Sequence, residues 1–86
     1  MKTLELISIL SAKDLKALEI ELEQKSKTTT LKALQFCAQQ TVIDKTDFFQ
    51  CLFDKPYSAA KDYLLRNEIR LLNQAIEDFV VRQAIQ

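Results

Sequence analysis

The chain is 86 residues long, with twelve basic and twelve acidic side chains and therefore a formal net charge of zero. It contains no glycine, no histidine, no tryptophan and a single proline, against an average usage that predicts roughly six glycines at this length. Phosphate-cradling loops, tight hairpins and calcium loops normally need glycine, and histidine is the commonest neutral-pH acid–base group and metal ligand, so this composition weighs against most routes to catalysis.

Forty-eight per cent apolar and 28% charged residues suit one small folded domain rather than a disordered chain. The charges are evenly spread: residues 1–43 carry six basic and five acidic groups, and residues 44–86 six and seven. A surface for nucleic acid or anionic lipid normally shows a basic excess, and none is present. Apolar runs reach only two to three residues, too short to span a bilayer. The opening Met1-Lys2-Thr3-Leu4-Glu5 has a glutamate inside its apolar patch and no small-residue cleavage site, so it does not read as a signal peptide. A cytoplasmic location is expected.

In chain order, residues 3–10 read as a short helix. Ser11-Ala12-Lys13-Asp14 is a helix start: the Ser11 hydroxyl can accept the N–H of residue 14, and Asp14 sits at the positive end of the helix dipole. Leu10 and Leu15 flank this cap as a hydrophobic staple. The helix runs to about Gln24 with Leu15, Leu18 and Leu22 on one face, and Glu21/Lys25 and Glu23/Lys27 are acid-first i,i+4 pairs.

Residues 25–30 form a polar connection in which a threonine is expected to cap the next helix, over about 31–41. That helix should bury Leu31, Leu34, Cys37 and Ala38, with Ala33 and Phe36 alongside. Asp44-Lys45-Thr46-Asp47 opens a fourth helix to about Phe53, apolar almost all round and so expected at the centre of the domain. Cys37 and Cys51 lie among apolar neighbours and read as two buried reduced thiols. With no further Cys or His, they cannot complete a zinc site.

Pro56 ends the fourth helix in a turn. Ser58 then caps the last and longest one, about 59–85. Leu65, Ile69, Leu72, Ile76 and Phe79 form its core stripe. Leu64, Leu71 and Ala75 make a second strip beside that stripe, and Arg66, Asn67, Arg70, Asn73, Gln74 and Glu77 cover the opposite face. Asp62/Arg66 and Asp78/Arg82 are i,i+4 pairs. At 1.5 Å per residue this helix is about 40 Å long, against a globule roughly 30 Å across, so about two turns should overhang. Val81 and Ile85 point away from the core stripe there.

No carboxylate group looks catalytic. Asp44 and Asp47 are explained as helix-start residues, Glu77 and Asp78 as solvated surface, and the Glu19/Glu21/Glu23 spacing does not share a helical face. Residues 46–70 also read as helix–turn–helix, in which Lys55, Lys61, Arg66 and Arg70 would be the DNA contacts. Asp54 and Asp62 lie on the same approach, and the neutral balance counts against phosphate binding.

The run Lys45-Thr46-Asp47-Phe48-Phe49-Gln50-Cys51-Leu52-Phe53-Asp54-Lys55-Pro56-Tyr57, followed by a leucine-rich helix ending Ile76-Glu77-Asp78-Phe79-Val80, resembles the N-terminal region of large, uncharacterised helical proteins of Bacteroidetes-type bacteria. In those a helix ending in "LF" leads through a "KPY"-like turn into a long amphipathic helix. Leu10-Ser11-Ala12-Lys13-Asp14-Leu15 is similar to their opening "LS-x-x-E-L" segment, with Asp14 in place of glutamate. The polar 25–30 connection departs from the family, whose segment there is longer and contains aromatics. The resemblance covers most of the chain but carries no catalytic residue. It implies an N-terminal helical module leading into a larger helical array used for protein contacts.

The expectation is therefore one all-α domain, residues 1–86, a small bundle of four to five helices with a long C-terminal helix. No cofactor, metal or membrane contact is expected. The leading function is a non-enzymatic interaction module that joins a protein partner or itself, as a homodimer, through Leu64, Leu71, Ala75, Val81 and Ile85 of the last helix. The alternative is the DNA-binding helix–turn–helix. One structural question also follows from the composition. Every expected helix start has a Ser, Thr or Asp, yet no helix end has the glycine that usually closes it.

Overall fold

The computed structural model describes residues 2–85 and is all-α. Five helices follow in order: α1 (Lys2–Ser8), α2 (Ala12–Gln24), α3 (Thr28–Ala38), α4 (Lys45–Phe53) and α5 (Asp62–Ile85), the last preceded by a 3-10 turn at Ala59–Lys61. The domain measures 42 × 26 × 18 Å, with α5 as its long element.

The α2 start is a full capping box. The Asp14 N–H donates to Ser11 Oγ at 3.1 Å, and the Ser11 N–H donates to Asp14 Oδ2 at 3.3 Å. α4 is capped by Asp44, whose Oδ1 accepts the Thr46 N–H at 2.8 Å. The α3 start departs from expectation. No threonine caps it, because all three lie inside its first turn, and the cap residue Lys27 makes no side-chain hydrogen bond. Ser58 likewise makes no side-chain cap bond; its carbonyl accepts the Lys61 N–H and closes the 3-10 turn instead.

Two helix ends are finished without glycine by residues in the left-handed region. Ser26, at φ 58°, follows α2. Its N–H donates to the Glu23 carbonyl, and the Lys27 N–H reaches back to the Leu22 carbonyl at 2.9 Å. These two bonds are the Schellman motif, with serine where glycine usually stands. Asp54, at φ 55°, closes α4, its N–H donating to the Gln50 carbonyl. The α4 helix therefore stops at Asp54, and Pro56 lies in the extended segment beyond it.

The hub of the bundle is α3, which packs against each of the other four helices. Ala33, Leu34 and Cys37 point into the core from it, while Leu31 is half-buried and Ala38, expected inside, is exposed because α3 ends there. α4 lies beside α3 rather than at the centre. Phe48, Phe49 and Leu52 are buried, but the opposite side of α4 faces solvent, and Cys51 is exposed rather than buried. Phe36 stacks on Phe48 with centroids 5.0 Å apart, and Phe49 meets Phe53 at 4.7 Å and the edge of Tyr57 at 5.7 Å. This aromatic file ties α3, α4 and the following turn together.

The α5 stripe is as expected at Leu65, Leu72, Ile76 and Phe79, with Ile69 half-buried. α1 docks on the edge of α5 that the sequence placed in solvent. Thr3, fully buried, donates its hydroxyl to Asn73 Oδ1 at 2.6 Å, and Lys2 pairs with Glu77 at 3.0 Å.

Candidate interaction site

The outer side of α5 faces the α2–α3 connection across two adjoining hollows of about 450 and 440 Å³. Lys27, Ala75 and Asp78 line both, so they form one groove. Leu71 and Thr28–Thr30 line its upper part, and Leu22, Val81 and Arg82 its lower part. The Schellman turn at Ser26 holds Lys27 at this rim.

Of the five surface residues picked from sequence, three therefore share the groove: Leu71, Ala75 and Val81. Leu64 is half-buried and packs against the core instead. Ile85 lies beyond the lower end. Leu71, Val81 and Ile85 are 38%, 56% and 79% exposed, so the apolar strip opens toward the C-terminal end of the helix. Phe79 is the last buried residue of α5, and residues 81–85 are all exposed.

This end is nevertheless pinned. The Arg82 guanidinium grips the Glu21 carboxylate through both terminal nitrogens, Nη2 to Oε2 at 2.8 Å, and lies 5.9 Å from the centroid of the Phe79 ring. Lys25 also reaches Glu21, at 3.4 Å. The expected Asp78/Arg82 side-chain pair does not form, because Arg82 uses its Nε on the Asp78 backbone carbonyl and its terminal nitrogens on α2. Hydrogen bonding from Arg82 holds the Glu21 carboxyl down at about 2.

Sequence reasoning missed one buried polar pair near the groove. Thr30 donates its hydroxyl to Glu68 Oε1 at 2.7 Å, with both residues buried. The signal was present in the spacing: Glu68 sits three residues after Leu65 and four before Leu72, on the core stripe itself. Among the described residues no buried side-chain N or O atom lacks a partner.

The four basic residues of the helix–turn–helix reading are all exposed but do not gather. Arg66 and Arg70 border a separate shallow hollow on the α1 side of α5, shared with Lys2, Glu77 and Asp78. Arg66 pairs with Asp62 at 3.0 Å, and Arg70 donates to Asn67 Oδ1 at 2.8 Å. Lys55 and Lys61 lie in the turn region before α5. Asp62 also accepts the Tyr57 hydroxyl at 2.6 Å, which lowers the Asp62 carboxyl and raises the Tyr57 phenol.

For covalent chemistry, the Cys37 thiol is poorly placed. Burial pushes Cys37 up to about 11, so it is a protonated thiol at neutral pH, far from a nucleophilic thiolate. Among the described residues no group of three or more His, Cys, Asp and Glu side chains could hold a metal ion, and no helix is long and apolar enough to cross a membrane.

Comparison with protein-family models, with curated proteins and with solved structures finds no match to this chain. Fold and site together define a small all-α domain with a groove of mixed polar and apolar lining along its longest helix.

Proposed function

We propose that this chain is a non-enzymatic helical interaction module that associates with a second copy of itself through the outer side of α5. The observation that carries this reading is the exposure of Leu71 and Val81 in the groove and of Ile85 just beyond it, at 38%, 56% and 79%. Fully burying one such side chain is worth about 1.5–3 kcal/mol, so covering the strip is favourable. The zero net charge supports the same reading, because two copies meet without long-range repulsion. Glu21, Lys25 and Arg82 supply the polar rim that a protein interface normally has around its apolar floor. The resemblance to N-terminal modules of larger helical proteins extends the proposal, since the same face would pack on following helices in a longer chain. The module is read as cytoplasmic.

Sedimentation velocity on the full chain tests this. Wild type is expected to rise from its 9.9 kDa monomer mass toward twice that value as concentration increases through about 10–500 µM. Val81→Ser with Ile85→Ser should remain monomeric with unchanged helicity. A wild type that stays monomeric throughout, or a double variant that associates equally well, overturns the proposal.

A further inference from the structure

We infer that the second copy docks antiparallel, α5 against α5 about a two-fold axis at Asp78, with Lys27 of each copy pairing with Asp78 of the other. This rests on the self-association reading above and adds its register and its charge pairing.

The register comes from spacing. Leu71, Gln74, Asp78, Val81 and Ile85 follow one another at intervals of three, four, three and four, so they share one face of α5 that is apolar at both ends and polar at its middle. That face is about 21 Å long. Antiparallel pairing about Asp78 sets Leu71 of one copy opposite Ile85 of the other, and Ala75 opposite Val81. The most exposed apolar residue of the strip then enters the Leu71 end of the facing groove, and the small Ala75 side chain leaves room for close approach. Parallel pairing would align the two helix dipoles and put Ile85 against Ile85, leaving the Leu71 hollows facing each other.

The occupant is identified by charge. Around the groove Glu21, Lys25 and Arg82 satisfy one another. Among the described residues, the Lys27 ammonium and the Asp78 carboxylate form neither an ion pair nor a side-chain hydrogen bond, although both line the two hollows. Asp78 already lies in the field of Arg82 without an ion pair to it. A cation and an anion that form no ion pair among the described residues thus share one patch and make it complementary to itself, which is what an isologous two-fold contact requires. Two Asp78 carboxylates meeting at the axis would repel one another alone. Two Lys27 ammonium groups beside them neutralise the cluster and disfavour any shifted register, where the carboxylates would lose these partners.

Sedimentation equilibrium on the 86-residue wild-type chain, Lys27→Glu, Asp78→Lys, the double reversal and Val81→Ser/Ile85→Ser tests the pairing, with circular dichroism confirming that each variant is folded. Each single reversal turns two symmetry-related attractions into repulsions and is expected to weaken dimerisation about tenfold. The double reversal should return it to within about threefold of wild type, since the coupled pair is restored. If wild type dimerises and Val81→Ser/Ile85→Ser abolishes it, but the single reversals change nothing or the double reversal fails to rescue, this register is wrong while self-association through α5 stands. If wild type is monomeric, both fall.

Discussion

Glu21 and Arg82 are 61 positions apart in the chain, yet their side chains close a two-pronged ion pair that fastens the last turns of α5 to the end of α2. The pair bounds the lower half of the groove and fixes Val81 beside it.

Glu21 carries the clearest pH prediction. Its carboxyl falls from an ordinary 4.5 to about 2, chiefly through the hydrogen bond from Arg82. A carboxyl depressed on folding contributes stability that is fully present above the unfolded value and is lost as pH falls through the folded one. The contribution is therefore complete above about pH 5 and fades progressively toward pH 2. Thermal unfolding of Glu21→Gln should show a lower melting temperature than wild type at pH 7, with the two curves converging near pH 2. A constant difference across that range would show that the ion pair is not its source.

Thr30 and Glu68 should behave as a buried pair does. Thr30→Val removes the hydroxyl and leaves the Glu68 carboxyl without its donor, at a cost of about 1–3 kcal/mol. Replacing both, as Thr30→Val with Glu68→Leu, removes the unsatisfied group along with its partner and should recover most of that loss. Urea unfolding of the two single variants and the double variant gives the comparison. A double variant as unstable as Thr30→Val would mean that the pair's shape, not its hydrogen bond, matters.

Ser26 and Asp54 sit at positive φ where glycine would be unstrained. Ser26→Gly should stabilise the domain by about 0.5–1 kcal/mol, since a side chain in the left-handed region is disfavoured and the Schellman bonds are all made by backbone. Asp54→Gly should gain less, because aspartate tolerates that region better than most residues. Equilibrium denaturation measures both, and a loss at Ser26 would point to a role for its hydroxyl in placing Lys27.

Much of the architecture was legible before any coordinates. The Ser11/Asp14 box, the Asp44 cap and the Leu65–Phe79 stripe depend on neighbours within one or two turns, and local chemistry of that kind is written directly in residue spacing. The α3 start departs from the spacing because three threonines in a row offer cap chemistry at each position, while the Schellman turn at Ser26 releases the chain into helix at Thr28. Cys51 and Ala38 were placed in the core because an apolar residue's type does not say which side of a short helix will be covered.

The all-helical class and the long final helix follow from residue spacing alone. Helix periodicity and capping are properties of contiguous residues. That α3 is the hub, that Thr3 seats α1 on Asn73, and that Arg82 turns from its neighbour Asp78 to Glu21 are set by packing between distant segments. Those choices join residues far apart in the chain, and many pairings of the same charges would satisfy the sequence equally well. The packed core selects one by fixing which side chains come within reach, and among the described residues it leaves Lys27 and Asp78 at one groove with no ion pair.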